Sequence, residues 1–516
     1  MLWLNLLLIF LRLVFALQKE LPNSVVPKKV AVIAGSAGSS AAYYLNSYAA
    51  RLGIPVNITV FERSPFIGGR STIINVFDNP NLPVELGGTF LIQDNKNLMH
   101  AVEQFGLPLA HNALKKDLAV WDGSRFIVTK SGQASLWWDV VKMIWRYGLG
   151  SLFRTRNLRE AAREKLLKLY DPPHFPFNNL SKATAEVGLT GLTNSTGAKL
   201  LSDHGVTDSF SQEIIQAITR MLYGQNLAII HGLETLVCTL TDGVASVAGG
   251  NWKMFDRMLK ASRANVRLNS SVTEIVRSPD GSFAISYSSE NIQVSDRSFD
   301  DVVVTGPFQF SNITISPQPE KMPGVIHYVQ LHITVLVSPH QLSPKFFNLP
   351  PQSTVPEIIL TALPLDLNIG SRRDGVGPAG FWSLRRVRLE TNGTLPEHLY
   401  KIISPEPLTA EFVSRLFGNE DSAGMSTLAD IPKEHLSWYH EKAWQAYPYH
   451  YPTDKFEEIQ LGDGLWYTSG IERFLSAMEM SSLSGMNVAA LIATEWGKEV
   501  GQPATHLWHR IEQREL

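Results

Sequence analysis

Val60-Phe61-Glu62-Arg63-Ser64-Pro65-Phe66-Ile67-Gly68-Gly69-Arg70, residues 60–70, is the stretch that decides how this chain folds. The apolar run Val56 to Phe61 reads as a strand ending on a carboxylate. Upstream, Val30 to Ile33 reads as a first strand that leads through a small-residue turn into the Ala-rich helix Ala41-Ala42-Tyr43-Tyr44-Leu45. A carboxylate closing the second strand of such a βαβ unit is placed to take both hydroxyls of an adenosine ribose. Gly68 and Gly69 let backbone approach a pyrophosphate, and the Arg70 guanidinium then faces the same anion. Nicotinamide enzymes do not need this added glycine pair and arginine, so the stretch predicts FAD rather than NAD.

The turn after the first strand reads Ile33-Ala34-Gly35-Ser36-Ala37-Gly38-Ser39-Ser40. The expected pattern is G-x-G-x-x-G. One register keeps Gly35 and Gly38 but puts Ile33 at the first glycine; the other puts Ala34, Ser36 and Ser39 at the three positions. The helix N-terminus still supplies amides and a positive dipole end to phosphates. A second glycine pair, in Val84-Glu85-Leu86-Gly87-Gly88-Thr89, follows a short strand and is expected to let backbone run beside a flavin ring. Far downstream, Gly464 to Gly470 reads as a strand ending in glycine. Glu472 and Met478 follow, then a helix from Ser484 to Trp496. A strand-to-helix turn there is expected to meet ribityl and pyrophosphate oxygens with backbone amides.

At 516 residues the chain is too long for one ordinary core, and two intertwined domains are expected. A hydrophobic fraction of 44% and a charged fraction of 18% are those of a globular protein. The net charge of −2 and the absence of a basic run give no footprint for nucleic acid. Leu2 to Leu17 is almost continuously apolar, and Val14-Phe15-Ala16 suits a signal peptidase, so residues 1–16 are expected to be a signal peptide cleaved after Ala16. The run is shorter than the ~20 residues of a membrane span. N-x-[ST] sequons stand at Asn57, Asn179, Asn194, Asn269, Asn312 and Asn392. Asn57 falls in the core strand and is expected bare; the other five are expected glycosylation sites of a secretory-pathway protein. The lone Cys238 has no intramolecular disulfide partner and reads as a small buried hydrophobe.

Residues 95–250 read as mainly helical, with amphipathic segments near 97–106, 138–168 and 207–223. The cluster Leu136-Trp137-Trp138 through Ile144-Trp145-Arg146-Tyr147 suits a helix–helix core, a greasy pocket or peripheral contact with a membrane surface. Val266-Arg267-Leu268, a turn, and Val272 to Val276 resemble a β-meander covering adenine. Asp300 to Pro307 resembles a buried strand leading back out of the same domain. The expected division is an FAD-binding domain of residues 28–95, 249–320 and 456–500, and a substrate domain of 96–248 and 321–455. The fold class is α/β: a Rossmann-like FAD-binding domain of the two-dinucleotide-fold flavoprotein type, interleaved with a mixed α+β substrate domain.

Among several further segments, Trp444-Gln445-Ala446-Tyr447-Pro448 and Ser476-Ala477-Met478-Glu479-Met480-Ser481 are far more specific than any dinucleotide motif. Trp145-Arg146-Tyr147-Gly148, Tyr223-Gly224-Gln225, Gly249-Gly250-Asn251, Ala443-Trp444-Gln445-Ala446-Tyr447-Pro448 and Ser476-Ala477-Met478-Glu479-Met480-Ser481 join Phe61-Glu62-Arg63 and Gly470-Ile471-Glu472. Together they resemble the prenylcysteine oxidase (prenylcysteine lyase) family of the flavin amine-oxidase-like group, across about residues 28–496. The resemblance implies noncovalent FAD held by Gly35, Ser36, Gly38, Glu62, Arg63, Gly69, Arg70, Glu85, Gly87, Gly88, Val272, Gly470, Glu472 and Met478. It implies substrate contacts at Trp145, Tyr223, Trp444 and Tyr447. The implied activity is cleavage of S-prenyl-cysteine to cysteine, a prenyl aldehyde and hydrogen peroxide with molecular oxygen as acceptor, in a vacuole- or lysosome-like compartment or outside the cell. Such chemistry needs no catalytic triad or metal cluster, and neither H-E-x-x-H nor C-x-x-C occurs. His111, His174, His204 and His450 are expected in surface or structural roles. An oxidase or oxidative cyclase of a prenylated secondary metabolite, and a lipid-binding protein without FAD, are the competing readings.

Overall fold

A strand, β1 (Lys28–Ile33), a helix, α1 (Ser36–Leu52), and a second strand, β2 (Val56–Phe61), open the fold in the computed structural model as the spacing predicts. Described are residues 26–501 except 34, 111–116, 131–135, 241, 291, 368–374, 389–396 and 420–423; for 136–142 and 388 only the backbone is described. Val30, Ala31 and Val32 are fully buried, which is why this strand reads as a continuous apolar run rather than an alternating one. β1 and β2 run parallel, Val30 beside Ile58 and Ile33 beside Phe61. β3 (Asn265–Arg267), β4 (Asp301–Val304), β5 (Gln460–Gly462) and β6 (Leu465–Tyr467) complete a six-stranded sheet in the order β5-β6-β4-β1-β2-β3, with only β5 antiparallel.

α1 begins at Gly35 with neither a side-chain cap nor an acid in its first turn, and ends on Gly53 in the left-handed region (φ 68°). Its small residues press against a long C-terminal helix, α2 (Met478–Glu499). The Ser40 hydroxyl donates to Ser482 O at 2.7 Å, and a Cβ on Gly485 would stand 2.2 Å from Ala37 O. Only glycine allows the two backbones that close. α2 starts at Met478, six residues before the expected Ser484, because Met480, Ser482 and Leu483 are already buried against the core.

Two further main sheets stand beside this one, with two-stranded pairs at 72–75/83–87 and 109–110/246–247. The strands 270–277, 283–289 and 292–299 form a meander closed by 314–316. Residues 266–268 were expected in it; instead Val266 and Arg267 lie in β3, where pairing with Val60 and Phe61 extends the main sheet. A seven-stranded sheet runs in the order 438–448, 328–338, 398–404, 383–388, 358–361, 118–121, 126–130. Its last two strands interrupt the region expected to be mainly helical: Ala119, Val120 and Trp121 are buried between their neighbours, and Ile358 pairs with Leu118. The fold is thus α/β, a Rossmann-like sheet interleaved along the chain with a mixed α+β layer. The helices 96–104 and 136–167 and the helical stretch 208–223 match the expected amphipathic segments.

Candidate cofactor and active site

Two glycine turns meet at the N-terminus of α1. A Cβ on Gly69 (φ 60°) would lie 3.6 Å from Gly35 Cα and 3.7 Å from Ser36 N, so no side chain stands between the loops. Gly35 itself has φ 141°, a value L side chains rarely adopt. A Cβ on Gly38 would stand 3.0 Å from Val32 Cγ1 and 3.1 Å from Thr305 Oγ1, so this glycine, at the third position of the pattern, serves packing of the helix onto β1 and the residue after β4. The result is a bare set of helix-end amides with uncompensated positive dipole, suited to phosphate.

At the end of β2 the buried Glu62 accepts from the Ser64 amide at 2.8 Å; burial raises its carboxyl pKa, and that amide opposes the rise. Arg63 turns aside and donates to Phe310 O at 3.2 Å. Val272 is buried with Phe61 and Tyr287 just past the strand end. Arg70, expected to face the pyrophosphate, is engaged elsewhere. It meets Glu472 at 2.6 Å and donates to Ala446 O at 2.7 Å, because a carboxylate as buried as Glu472 needs a cation. The Tyr328 hydroxyl donates to the same carboxylate at 3.1 Å. Gly470 sits in the turn 469–473, where a Cβ would stand 3.0 Å from Glu457 Cβ.

The second glycine pair is clamped from both sides. Glu85 Oε1 accepts from Asn251 N at 2.6 Å, and Asn251 Nδ2 donates to Gly88 O at 2.6 Å. From the neighbouring sheet, Lys401 Nζ donates to Glu85 O and Leu86 O at 2.6 and 3.2 Å. Burial lowers the Lys401 pKa to about 8 and raises that of Glu85 to about 7. A Cβ on Gly87 would stand 2.6 Å from Arg70 O and 2.8 Å from the Trp444 ring; one on Gly88 would stand 2.8 Å from Met478 Sδ. Glu85 Oε2, Ser71 Oγ, Trp252 Nε1 and Trp444 Nε1 around this pair are buried, with no hydrogen-bond partner among the described residues. Buried polar atoms are normally satisfied, so this ring of donors and acceptors fits a bound group rich in polar atoms, as a flavin dinucleotide is.

Tyr223 and Tyr447 meet edge to face at 4.9 Å, and Trp444 belongs to the same strand as Tyr447. Trp145 does not join them. It is 90% exposed on the far side of its helix, while the next residue inward, Tyr147, is buried and donates to Glu213 at 2.6 Å. The helix phase decides this, and a cluster of aromatic letters does not reveal phase.

Behind Tyr223 lies a buried polar group that the sequence reading missed. Glu234 is fully buried, with Oε2 3.2 Å from His450 Nε2 and 3.3 Å from the Ser476 amide; Oε1 has no partner among the described residues. Gln225 Oε1 accepts from His450 N at 2.9 Å, which turns its Nε2 toward His450 Nδ1 at 3.2 Å. Nδ1 therefore accepts and Nε2 carries the proton, shared between Glu472 O at 3.1 Å and Glu234. Burial raises the Glu234 pKa to about 8 and holds His450 well below the usual imidazole range. One signal existed: Glu234 is the lone charge in the run Gly232 to Cys238. Of the other histidines, His174 lies 3.8 Å from Glu186 and His204 Nδ1 2.8 Å from Leu200 O; His111 lies outside the described residues.

Residues 131–503 match a family model described as prenylcysteine lyase, and residues 34–105 one described as an NAD(P)-binding Rossmann-like domain. The chain is 29% identical to prenylcysteine oxidase 1 of Homo sapiens, over 91% of this chain and 90% of that protein. With the Bos taurus protein of the same name it shares 30% over 95% and 91%. With farnesylcysteine lyase of Arabidopsis thaliana it shares 26% over 91% and 89%. Among solved structures, a triple mutant of putrescine oxidase superposes with a TM-score of 0.56 at 13% identity, covering 91% of this chain and 99% of that one. Cyclohexylamine oxidase from Brevibacterium oxydans gives 0.55 at 16%, with the same coverage. These structural likenesses concern the fold.

Proposed function

The chain belongs to the prenylcysteine lyase family, and from that premise we propose that it is an FAD-dependent thioether oxidase that cleaves S-prenyl-L-cysteine. The observation that carries the reading is similarity along nine-tenths of both chains to proteins named prenylcysteine oxidase and farnesylcysteine lyase. The ring of unpartnered buried polar atoms beside Gly87 and Gly88 supports a bound flavin at that place. FAD would supply a hydride acceptor. C1 of a prenyl thioether is both allylic and next to sulfur, so the cation left by hydride loss is stabilised twice. Water adds, and the hemithioacetal collapses to cysteine and prenyl aldehyde. With molecular oxygen taking the electron pair, thioether, water and oxygen balance to thiol, aldehyde and hydrogen peroxide.

In this reading the chain's own work is to hold and to exclude. The α1 amides and the Gly35–Gly69 contact receive the pyrophosphate, and Glu62 takes the ribose hydroxyls. Tyr223, Trp444 and Tyr447 offer apolar surface to the prenyl tail. FAD is held without a covalent bond. The decisive experiment is to purify the chain, record flavin absorbance, and follow peroxide and aldehyde from farnesylcysteine. A yellow protein that consumes no prenyl thioether would overturn the substrate, and a colourless one the cofactor.

The same reading places the protein in the secretory pathway, with residues 1–16 removed as a signal peptide; these lie outside the described residues, as does Asn392. Asn194, Asn269 and Asn312 are exposed and open to glycosylation. Asn179 is half-buried, and its side-chain oxygen caps the helix Leu180–Glu186 by accepting from Lys182 N.

A further inference from the structure

We propose that the corner carrying Trp145, Leu149 and Phe153 docks this protein onto an anionic lipid surface. The helix Leu136–Leu167 breaks at Gly148 (φ 74°, ψ 155°), and around that break its amphipathic sense is inverted. Tyr147, Ser151 and Thr155, spaced four apart, face the protein and are buried. Trp145, Leu149 and Phe153, at the same spacing on the opposite side, are 90%, 51% and 57% exposed. Folding alone would favour the reverse, since hydroxyls are turned inward and the largest apolar groups outward.

Charge selects the occupant. Residues 140–159 carry Lys142, Arg146, Arg154, Arg156 and Arg159, bounded by Asp139 and Glu160, in a chain of net charge −2. Arg146 is held by Glu213 at 2.9 Å and Arg159 by Glu160 at 2.7 Å, which leaves Arg154 and Arg156 to carry the charge argument. Arg154 and Arg156 are exposed and in no ion pair among the described residues. Beside them a groove of about 160 Å³ runs between Leu152, Phe210, Ile214 and Ile218, with Arg156 and Arg159 in its wall. An exposed Trp with flanking arginines and an apolar groove suits the boundary between lipid headgroups and acyl chains. No helix among the described residues is long and apolar enough to cross a membrane, so the contact is made from the surface.

The test is co-sedimentation of the full-length chain with phosphatidylcholine vesicles, with and without about a third phosphatidylserine. Wild type should partition onto the anionic vesicles and release as salt rises past the screening length of the headgroup charge. Trp145→Ser/Leu149→Ser/Phe153→Ser and, separately, Arg154→Glu/Arg156→Glu should each lower the partition coefficient at least tenfold. The serine variant should keep its thermal midpoint because those three side chains are exposed. The glutamate variant also loses the bond from Arg154 Nη1 to Gly205 O at 2.6 Å, so circular dichroism of both variants against wild type shows that they folded. Wild type that ignores anionic vesicles, or variants that bind as tightly, would overturn the proposal. So would a wild-type dimer that the triple variant dissociates without any vesicle binding, which would make the corner a contact between two copies. None of these outcomes depends on the thioether chemistry.

Discussion

The Arg70 guanidinium holds Glu472 at 2.6 Å with one nitrogen and Ala446 O at 2.7 Å with another, so one side chain ties the flavin-type glycine loop to the turn before α2 and to the strand bearing Trp444 and Tyr447. Lysine reaches only one of these acceptors. Arg70→Lys should cost about 1–2 kcal/mol of stability, and Glu472→Gln about 1–3 kcal/mol, the guanidinium being partly solvated. Urea unfolding of the single and double variants checks this; additive effects would show that the pair is not coupled.

Glu62→Ala should weaken FAD binding by about 1–3 kcal/mol by removing the acceptor for the ribose hydroxyls. Titration of the apoprotein with FAD measures it, and unchanged affinity removes the ribose assignment. Flavin that stays with the protein after acid precipitation would contradict noncovalent binding.

Glu234 makes a prediction about pH. Its folded pKa is raised to about 8 from an ordinary value of 4.5, so between those values the unfolded chain releases a proton that the folded chain keeps. Stability from this group is fully present below about pH 4.5 and is lost as pH rises toward 8. His450 acts oppositely: its lowered pKa costs stability as pH falls through the ordinary imidazole range. Glu234→Gln should therefore gain on wild type, by up to a few kcal/mol, as pH moves from 5 to 8. Melting curves of both across that range decide; a constant difference would mean that Glu234 is ionised in the fold.

Gly485→Ala places a methyl 2.2 Å from Ala37 O and 2.8 Å from Ala41 N, where backbone must move. It should cost at least about 1–3 kcal/mol and loosen α1, hence FAD affinity. Gly191→Ala is the control, since nothing lies within 4 Å of its Cβ. There the helix propensity of alanine should stabilise by up to about 1 kcal/mol. Equal effects at the two sites would refute the close-packing account.

Trp444→Ala and Tyr447→Ala should change the ranking of geranyl-, farnesyl- and geranylgeranyl-cysteine, because each isoprene unit buries about five carbons at ~0.8 kcal/mol apiece before ordering costs. Trp145→Ala should leave kcat/KM for all three unchanged, given its exposure. Unaltered ratios in the first two variants would remove them from the substrate wall.

The dinucleotide fold was legible in the sequence because its signals are local. A buried strand, a small-residue turn, a helix and a second strand ending on Glu62 lie within residues 28–62, and each follows from the letters beside it. The same holds for the glycine turns at 68–69 and 87–88: a Cβ on Gly68 or Gly87 would meet backbone at 2.5 or 2.6 Å, and Gly69 and Gly88 sit at positive φ. What only the tertiary structure decided depends on partners distant along the chain. Arg70 was read as a phosphate ligand from its neighbours, yet its acceptors lie at 446 and 472. Glu234 drew no reading from the sequence, and only the fold brings His450 and the Ser476 amide to it. Trp145 stood in an aromatic cluster that suited a helix core, a pocket or a membrane surface alike, and the helix phase around Gly148 turned it outward. Local sequence sets backbone geometry through sterics and capping. Which charges are buried together, and which face of a helix meets solvent, follow from long-range packing that no short window contains.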